Sequence, residues 1–384
     1  MVYKCMKYLG MLFFFLFVFT LGILYVIIGE GDFVNIIGTV DGNCNAVDVF
    51  TNSALSDLQP LPHISLSTPS DSDDSNELES KPEAKQDIIE ALGEVIYIYD
   101  AETKEIFHEK LDDYLCGVVF AEMPSSFEVE ALKAQAVAAR SYSVYKALYS
   151  GESERTQHFG ADVCTDSAHC KAYISYENAC VKWGEEYISP FWDKVKAAVY
   201  FTSGQIIVYD SEPAIAVFHA ISNKLTESAE NIWGGDVPYL VSVPTTENEN
   251  SEMIKDFSTL SIYDPEEFKS KLVSNGFREN FGENPKSWIG ESALNSSGRV
   301  DNIKICGKSI SGKRLREIFS LRSTDFYLEY KEIDNEFIFN VKGYGHGVGM
   351  SQHGANLMAQ EGKNYEDILL WYYLGVDIIN IYDN

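Results

Sequence analysis

Tyr8 to Ile28 is a run of 21 residues with no charged side chain, rich in Phe, Leu, Val and Ile. As a helix it is long enough to cross a hydrocarbon core of about 30 Å, and this restricts where the rest of the chain can sit. Lys4 and Lys7 precede the run, whereas Glu30 and Asp32 follow it. The positive-inside rule therefore puts the N-terminus in the cytoplasm and everything after residue 30 outside. A cleaved signal peptide is the competing reading. Its apolar core is usually shorter, and no small-x-small site stands near Gly29, so residues 1–30 read as a cytoplasmic tip and a single-pass anchor.

Residues 31–92 read as an extracytoplasmic linker. The first part, 31–58, carries some apolar pattern without a clear period. From Gln59 to Gln86 the composition turns to Pro, Ser, Asp and Glu, as in Ser70-Asp-Ser-Asp-Asp-Ser-Asn-Glu77. Such a segment has little surface to bury and repels itself, so it is expected to be disordered. Over the whole chain, 58 acidic against 30 basic residues give a net charge of −28. That balance repels phosphate polymers and argues against nucleic acid as a partner. The cysteines number 7, an odd and mostly scattered set, too few for a disulfide scaffold at 384 residues.

A globular region is expected over residues 93–384. Val95–Tyr99 and Glu105–His108 read as strands around a turn, and Leu111–Phe120 as a short apolar segment. Ser125–Tyr149 reads as a long helix, with Ser125 and Glu128 at capping-box spacing and Gly151 as the stop. Its many alanines suit close packing. Ala198–Asp210, Ala214–His219 and Pro238–Pro244 have strand character. Residues 245–335 mix short helical and strand signals, and helices are expected near Ser351–Gln360 and Tyr365–Leu374. There is no internal repeat and no regular βαβ alternation, so the fold class is α+β, a single extracytoplasmic region.

Four segments could carry chemistry. Glu122, in Ala121-Glu-Met-Pro124, lies between apolar stretches, and burial there would raise its pKa as a proton donor requires. A solvated loop glutamate is the plain alternative. His158, Cys164 and Cys170, with His169 beside the last, offer imidazole and thiolate ligands for a tetrahedral zinc. The spacing is wider than usual, and a Cys164–Cys170 disulfide fits an outward-facing domain equally well. Gly343-Tyr-Gly-His-Gly-Val-Gly-Met-Ser-Gln-His-Gly-Ala355 alternates four glycines around His346, then opens a helix with Ser351 and Gln352. It lacks the context of a phosphate-binding loop, and tight backbone packing alone would also explain it. Finally His219–Glu230, containing Ser222, leads into Ile232-Trp-Gly-Gly-Asp236, which fits either a sugar-lining cleft or an ordinary loop.

Together these segments resemble the stage II sporulation protein D family, peptidoglycan lytic transglycosylases of engulfment. The resemblance rests on Ala121–Tyr142, Thr226–Leu240 and Gly345–Ala355 and runs from about Gly93 to the C-terminus. It implies that Glu122 is the catalytic acid/base and that MurNAc–GlcNAc bonds are cut without water, leaving 1,6-anhydroMurNAc ends. Candidate substrate contacts are Ser222, which remains from the family's hydroxyl-bearing stretch, and His346, Ser351 and Gln352 of the Gly-rich segment. The His158, Cys164, Cys170 pattern looks like the zinc site of the clostridial branch, with His169 as the candidate fourth ligand. The implied partners are peptidoglycan glycan strands, a sporulation amidase/endopeptidase and a multispanning membrane scaffold. The implied location is the mother-cell membrane facing the septal space.

There are departures from the family pattern. Ala220 and Ile221 stand where a His-Ser-Thr-Ser-Gly type of stretch has hydroxyls, and His353 stands where tyrosine is common. Two other functions stay open at this point. Related domains are described as amidase enhancers, and an enhancer would tolerate Glu122→Gln. A zinc hydrolase would instead use the His/Cys metal to activate water.

Overall fold

The computed structural model describes Ile88 and residues 95–151, 156–247, 254 and 257–383. The expected anchor and nearly all of the linker lie outside these residues. Among the described residues no helix is long and apolar enough to cross a membrane. Helices and strands are intermixed, as the α+β expectation holds.

The centre of the larger core is the helix Val129–Tyr149. Ala131, Ala134, Ala136, Ala138 and Ala139 are fully buried along it, so neighbours approach from nearly every side. Around it pack the helices Leu111–Glu122, Glu185–Phe201, Gln352–Gln360 and Tyr365–Tyr372, and the strand Gln205–Tyr209. Arg140, buried inside this helix, is satisfied by Asp112 at 2.8 Å and by the carbonyls of Val199 and Gln205. The helix begins at Val129, not Ser125. No side chain caps it; the N–H of Glu128 instead donates to Asn356 at 2.8 Å, and Ser125–Phe127 form a turn that buries Phe127 against the His353 ring. A tertiary partner replaces the expected capping box.

A small sheet positions the His/Cys segment. Strand Ile96–Tyr99 pairs antiparallel with Ile106–Glu109 and parallel with Val163–Cys164, setting Cys164 opposite Tyr99. Residues 198–201, expected as strand, complete the helix Glu185–Phe201, and Pro238–Pro244 forms no strand but a turn closed by Leu240 on Val237. The second core lies within residues 258–342. An antiparallel sheet of Phe326–Lys331, Glu336–Lys342 and Ser258–Tyr263 meets another of Lys308–Ser311, Val300–Ile305 and Ile289–Leu294. Aromatic rings fill the space between, with Phe268 stacked 4.1 Å from Phe337, and Trp288 and Phe319 beside them.

Candidate active site

Glu122 is the last residue of the helix Leu111–Glu122, partly buried where the chain leaves that helix in extended conformation at Met123. One carboxylate oxygen accepts the Ala172 N–H at 2.7 Å. Burial raises the carboxyl above its usual range; the nearby Lys171 ammonium and the Ala172 N–H offset part of that rise. Lys171 is itself buried, its Nζ 3.9 Å from the centre of the Phe218 ring and 4.3 Å from that of Tyr142. Such aromatic faces hold a desolvated ammonium in place. Thus one segment, Lys171-Ala172, supplies both the charge and the hydrogen bond that Glu122 meets.

That segment follows directly from the His/Cys cluster. The donor atoms of His158, Cys164, His169 and Cys170 all lie within 4.8 Å of one another. Their S···N separations are 3.6 Å for Cys164–His169, 3.4 Å for Cys170–His158 and 3.5 Å for Cys170–His169. Bond lengths typical of zinc, in a tetrahedron, put sulfur and nitrogen ligands about 3.5 Å apart, so the donor set fits such an ion. The two histidines are closer, with Nε2 of His158 2.7 Å from Nδ1 of His169. Both cysteines are free thiols here, and the convergence of two imidazoles on them is a feature a disulfide would not need. Four protein donors would complete a tetrahedron, the arrangement of structural metal sites rather than of sites that activate water.

The Gly-rich loop packs against the strand Phe218–His219. Gly343, Gly345, Gly347 and Gly349 all have positive φ. The need is plainest at Gly349, where an added Cβ would lie 2.1 Å from the Val217 carbonyl oxygen, and at Gly345, where it would meet His219 at 2.8 Å. This closeness lets Met350–Ser351 pair with Phe218–His219 and the Gly347 carbonyl accept the Glu227 N–H at 2.7 Å. His346 packs between Trp233 (5.4 Å) and His219 (5.8 Å), and its Nδ1 accepts the Val348 N–H at 3.1 Å. Burial, with the positive charges of Lys171 and Arg316 nearby, holds its pKa well below the usual histidine value, so the ring is neutral. The Lys171 charge acts on both Glu122 and His346, lowering the pKa of each.

The other residues proposed from the sequence as substrate contacts have inward-facing surroundings. Ser222 is fully buried; its Oγ lies 2.6 Å from Nε2 of His219 and accepts Arg299 at 3.2 Å. His219 donates from Nδ1 to the Val348 carbonyl, which leaves Nε2 as acceptor, and burial beside Arg299 lowers its pKa to about 3. The pair looks like a serine–base dyad, yet a fully buried hydroxyl already engaged with two partners offers a substrate no access. Ser351 is likewise buried, bonded to Glu247 and capping its helix at Gly354 N, while Gln352 faces Gln135 at 3.5 Å. All three side chains are buried, and their hydrogen bonds are made within the fold. Lys171, Arg299 and Glu247 were not singled out from the sequence. The adjacency of Lys171 to Cys170 was the available signal for the first; nothing local marks the other two.

Fold and site together define a mixed α+β protein that sets a half-buried carboxylate at a helix end, held by the segment that follows a His/Cys cluster, in a chain that also carries a tightly packed glycine-rich loop. Residues 99–209 match the model of a family described as stage II sporulation protein. The stage II sporulation protein D of Bacillus subtilis is 33% identical over 305 residues, 78% of this chain and 83% of that protein. Its counterpart in Bacillus amyloliquefaciens is 35% identical over 282 residues, covering 73% of this chain and 77% of that one. A Bacillus subtilis protein named amidase enhancer is 27% identical over 311 residues, 69% of this chain but 40% of the enhancer. The chain belongs to the stage II sporulation protein D family.

Proposed function

We propose that this chain is a peptidoglycan lytic transglycosylase of sporulation, a carbon–oxygen lyase that cuts MurNAc–GlcNAc bonds in glycan strands stripped of their stem peptides. The observation that carries the reading is Glu122: a carboxyl raised by burial, one oxygen fixed by Ala172 N–H, and a lysine as its charged neighbour. In its protonated form Glu122 gives its proton to the glycosidic oxygen as the bond from MurNAc C1 breaks. The 6-hydroxyl of the same MurNAc then attacks C1 and returns its proton to the Glu122 carboxylate. A 1,6-anhydro end forms, the acid is regenerated, and no water is consumed. Because the nucleophile is tethered, one carboxyl suffices where glycoside hydrolases ordinarily use two.

His158, Cys164, His169 and Cys170 are the residues that would hold zinc. Such an ion would supply cross-linking: it would clamp the segment that delivers Lys171 and Ala172 to Glu122. Residues 1–30 anchor the chain in the membrane, and 31–92 give the catalytic region its reach to the wall outside. A partner amidase would prepare the denuded strands. The similarity to the amidase enhancer supports a second reading, in which this domain assists such an amidase without cutting glycan itself. Purified wild type and Glu122→Gln, incubated with denuded glycan strands and followed by mass spectrometry, separate the two. Anhydro-ended products from the wild type alone are expected. No product from a folded wild type, with amidase stimulation retained by Glu122→Gln, would favour the enhancer.

A further inference from the structure

On a different flank of the helix that ends at Glu122 lies a cavity of about 440 Å³, within the range of small-ligand sites. Tyr173, Tyr176 and Trp192 give it aromatic walls. These rings are fixed from behind. Tyr173 stacks on Tyr114 at 5.5 Å and donates to Glu109 at 3.1 Å. Trp192 packs on Phe120 at 5.0 Å and Tyr176 at 5.3 Å. Gly117 makes this possible, because a Cβ there would lie 2.5 Å from the Tyr173 ring. The remaining lining is unbalanced in charge: Glu109, Asp113, Glu177 and Asp193 face one ammonium, that of Lys196. Glu109 feels Asp113 and Glu177 as like charges, so a cation entering the cavity relieves repulsion already present.

We propose that this cavity binds an amino sugar, a hexosamine of the wall glycan that carries a free ammonium in place of its N-acetyl group. The aromatic faces suit the flat C–H face of a pyranose and the ammonium beside it, and the carboxylates supply the counter-charge. N-acetylglucosamine is neutral and peptide-free MurNAc is anionic, so neither brings the counter-charge an ammonium does. A lysine side chain has the charge but not a ring to cover three aromatic walls. The cavity also joins the catalytic centre through the backbone: Ala172, which donates to Glu122, is followed by Tyr173 in the cavity wall. Gly117 and Glu122 are separated by five residues of helix, roughly 8 Å along its axis. The proposal rests on the wall-glycan reading of Glu122 and assigns the sugar chemistry held next to it.

Calorimetric titration of the full chain with a β-1,4-linked glucosamine tetramer, an N-acetylglucosamine tetramer and tetralysine tests this. The glucosamine tetramer is expected to bind about tenfold or more tightly than its N-acetylated counterpart. That preference is expected to shrink with added salt and to vanish in a Glu177→Gln/Asp193→Asn variant. Both residues are exposed, so the fold is not at risk. Glu122→Gln should keep the preference, which makes the readout independent of cutting. Equal binding of the two glycans, a preference that survives the double variant, or tighter binding of tetralysine would overturn the amino-sugar assignment. Anhydro-ended products together with equal glycan binding would remove the cavity proposal alone, and a retained preference without products would remove the transglycosylase alone.

Discussion

Glu122 is costly to the fold when ionised, because its surroundings favour the neutral acid. A carboxyl whose pKa is higher in the folded than in the unfolded chain contributes stability below the unfolded value. That contribution is lost as pH rises through the folded one. Glu122→Gln, which mimics the neutral acid, is therefore expected to melt at the same temperature as wild type or higher near neutral pH, while losing glycan cleavage. Calorimetric scans of both proteins check this; a marked drop in melting temperature would mean that Glu122 has a structural role. On the proposed mechanism the same shift would set the alkaline limb of cleavage. Proton donation needs the neutral form, so the rate should fall as pH rises through a pKa above the ordinary carboxylate range, and Lys171→Met should move that limb to higher pH by removing the cation that opposes the rise. In the sequence Glu122 stands out only as a carboxyl between apolar stretches, and the structure places it partly buried; its role as acid/base comes from the family resemblance. Lys171 was not singled out; its position beside Cys170 was the one local signal, and its burial between two rings follows only from the tertiary packing.

At the scale of elements, the long helix was legible from its alanines, but its start was not. Ser125 and Glu128 have the spacing of a local cap, and the structure instead satisfies Glu128 N–H through Asn356, more than two hundred residues away. Residues 198–201 were read as strand from their apolar run, and packing of the helix Glu185–Phe201 on its neighbours overrode that preference. The alternating glycines were legible as a demand for close approach, and the partners, Val217 and His219, only in three dimensions. Gly349→Ala is expected to destabilise by more than ~1 kcal/mol in urea unfolding, since it combines a positive φ with a backbone clash. Arg140→Ala should cost about 3–5 kcal/mol by the same measurement, because it leaves Asp112 without its buried partner. If either variant unfolds at the wild-type midpoint, the corresponding contact carries no weight.

Across the whole molecule, three sequence segments far apart in the chain meet at one place. Ala121–Tyr142 carries Glu122 and the central helix and meets Gly345–Ala355 through Phe127 on His353 and Gln135 on Gln352, while Thr226–Leu240 meets the same segment through Glu227 and Trp233. The His/Cys cluster sits upstream of the residues that hold Glu122, so metal removal should act through this loop. Strong chelation is expected to raise hydrogen exchange across residues 158–172 and to lower cleavage, while any product still formed keeps its anhydro end. Reducing ends would point to water as the nucleophile. Expectations for the anchor and linker concern residues outside those the structure describes, and composition alone supports them.

If Glu122 drives an intramolecular attack, cleavage consumes no water. The most direct measurement runs the purified full chain on denuded glycan strands in water enriched in heavy oxygen and weighs the new ends. Expected are 1,6-anhydroMurNAc ends carrying no heavy oxygen, and no products from Glu122→Gln. Reducing MurNAc ends that carry the label would contradict intramolecular attack.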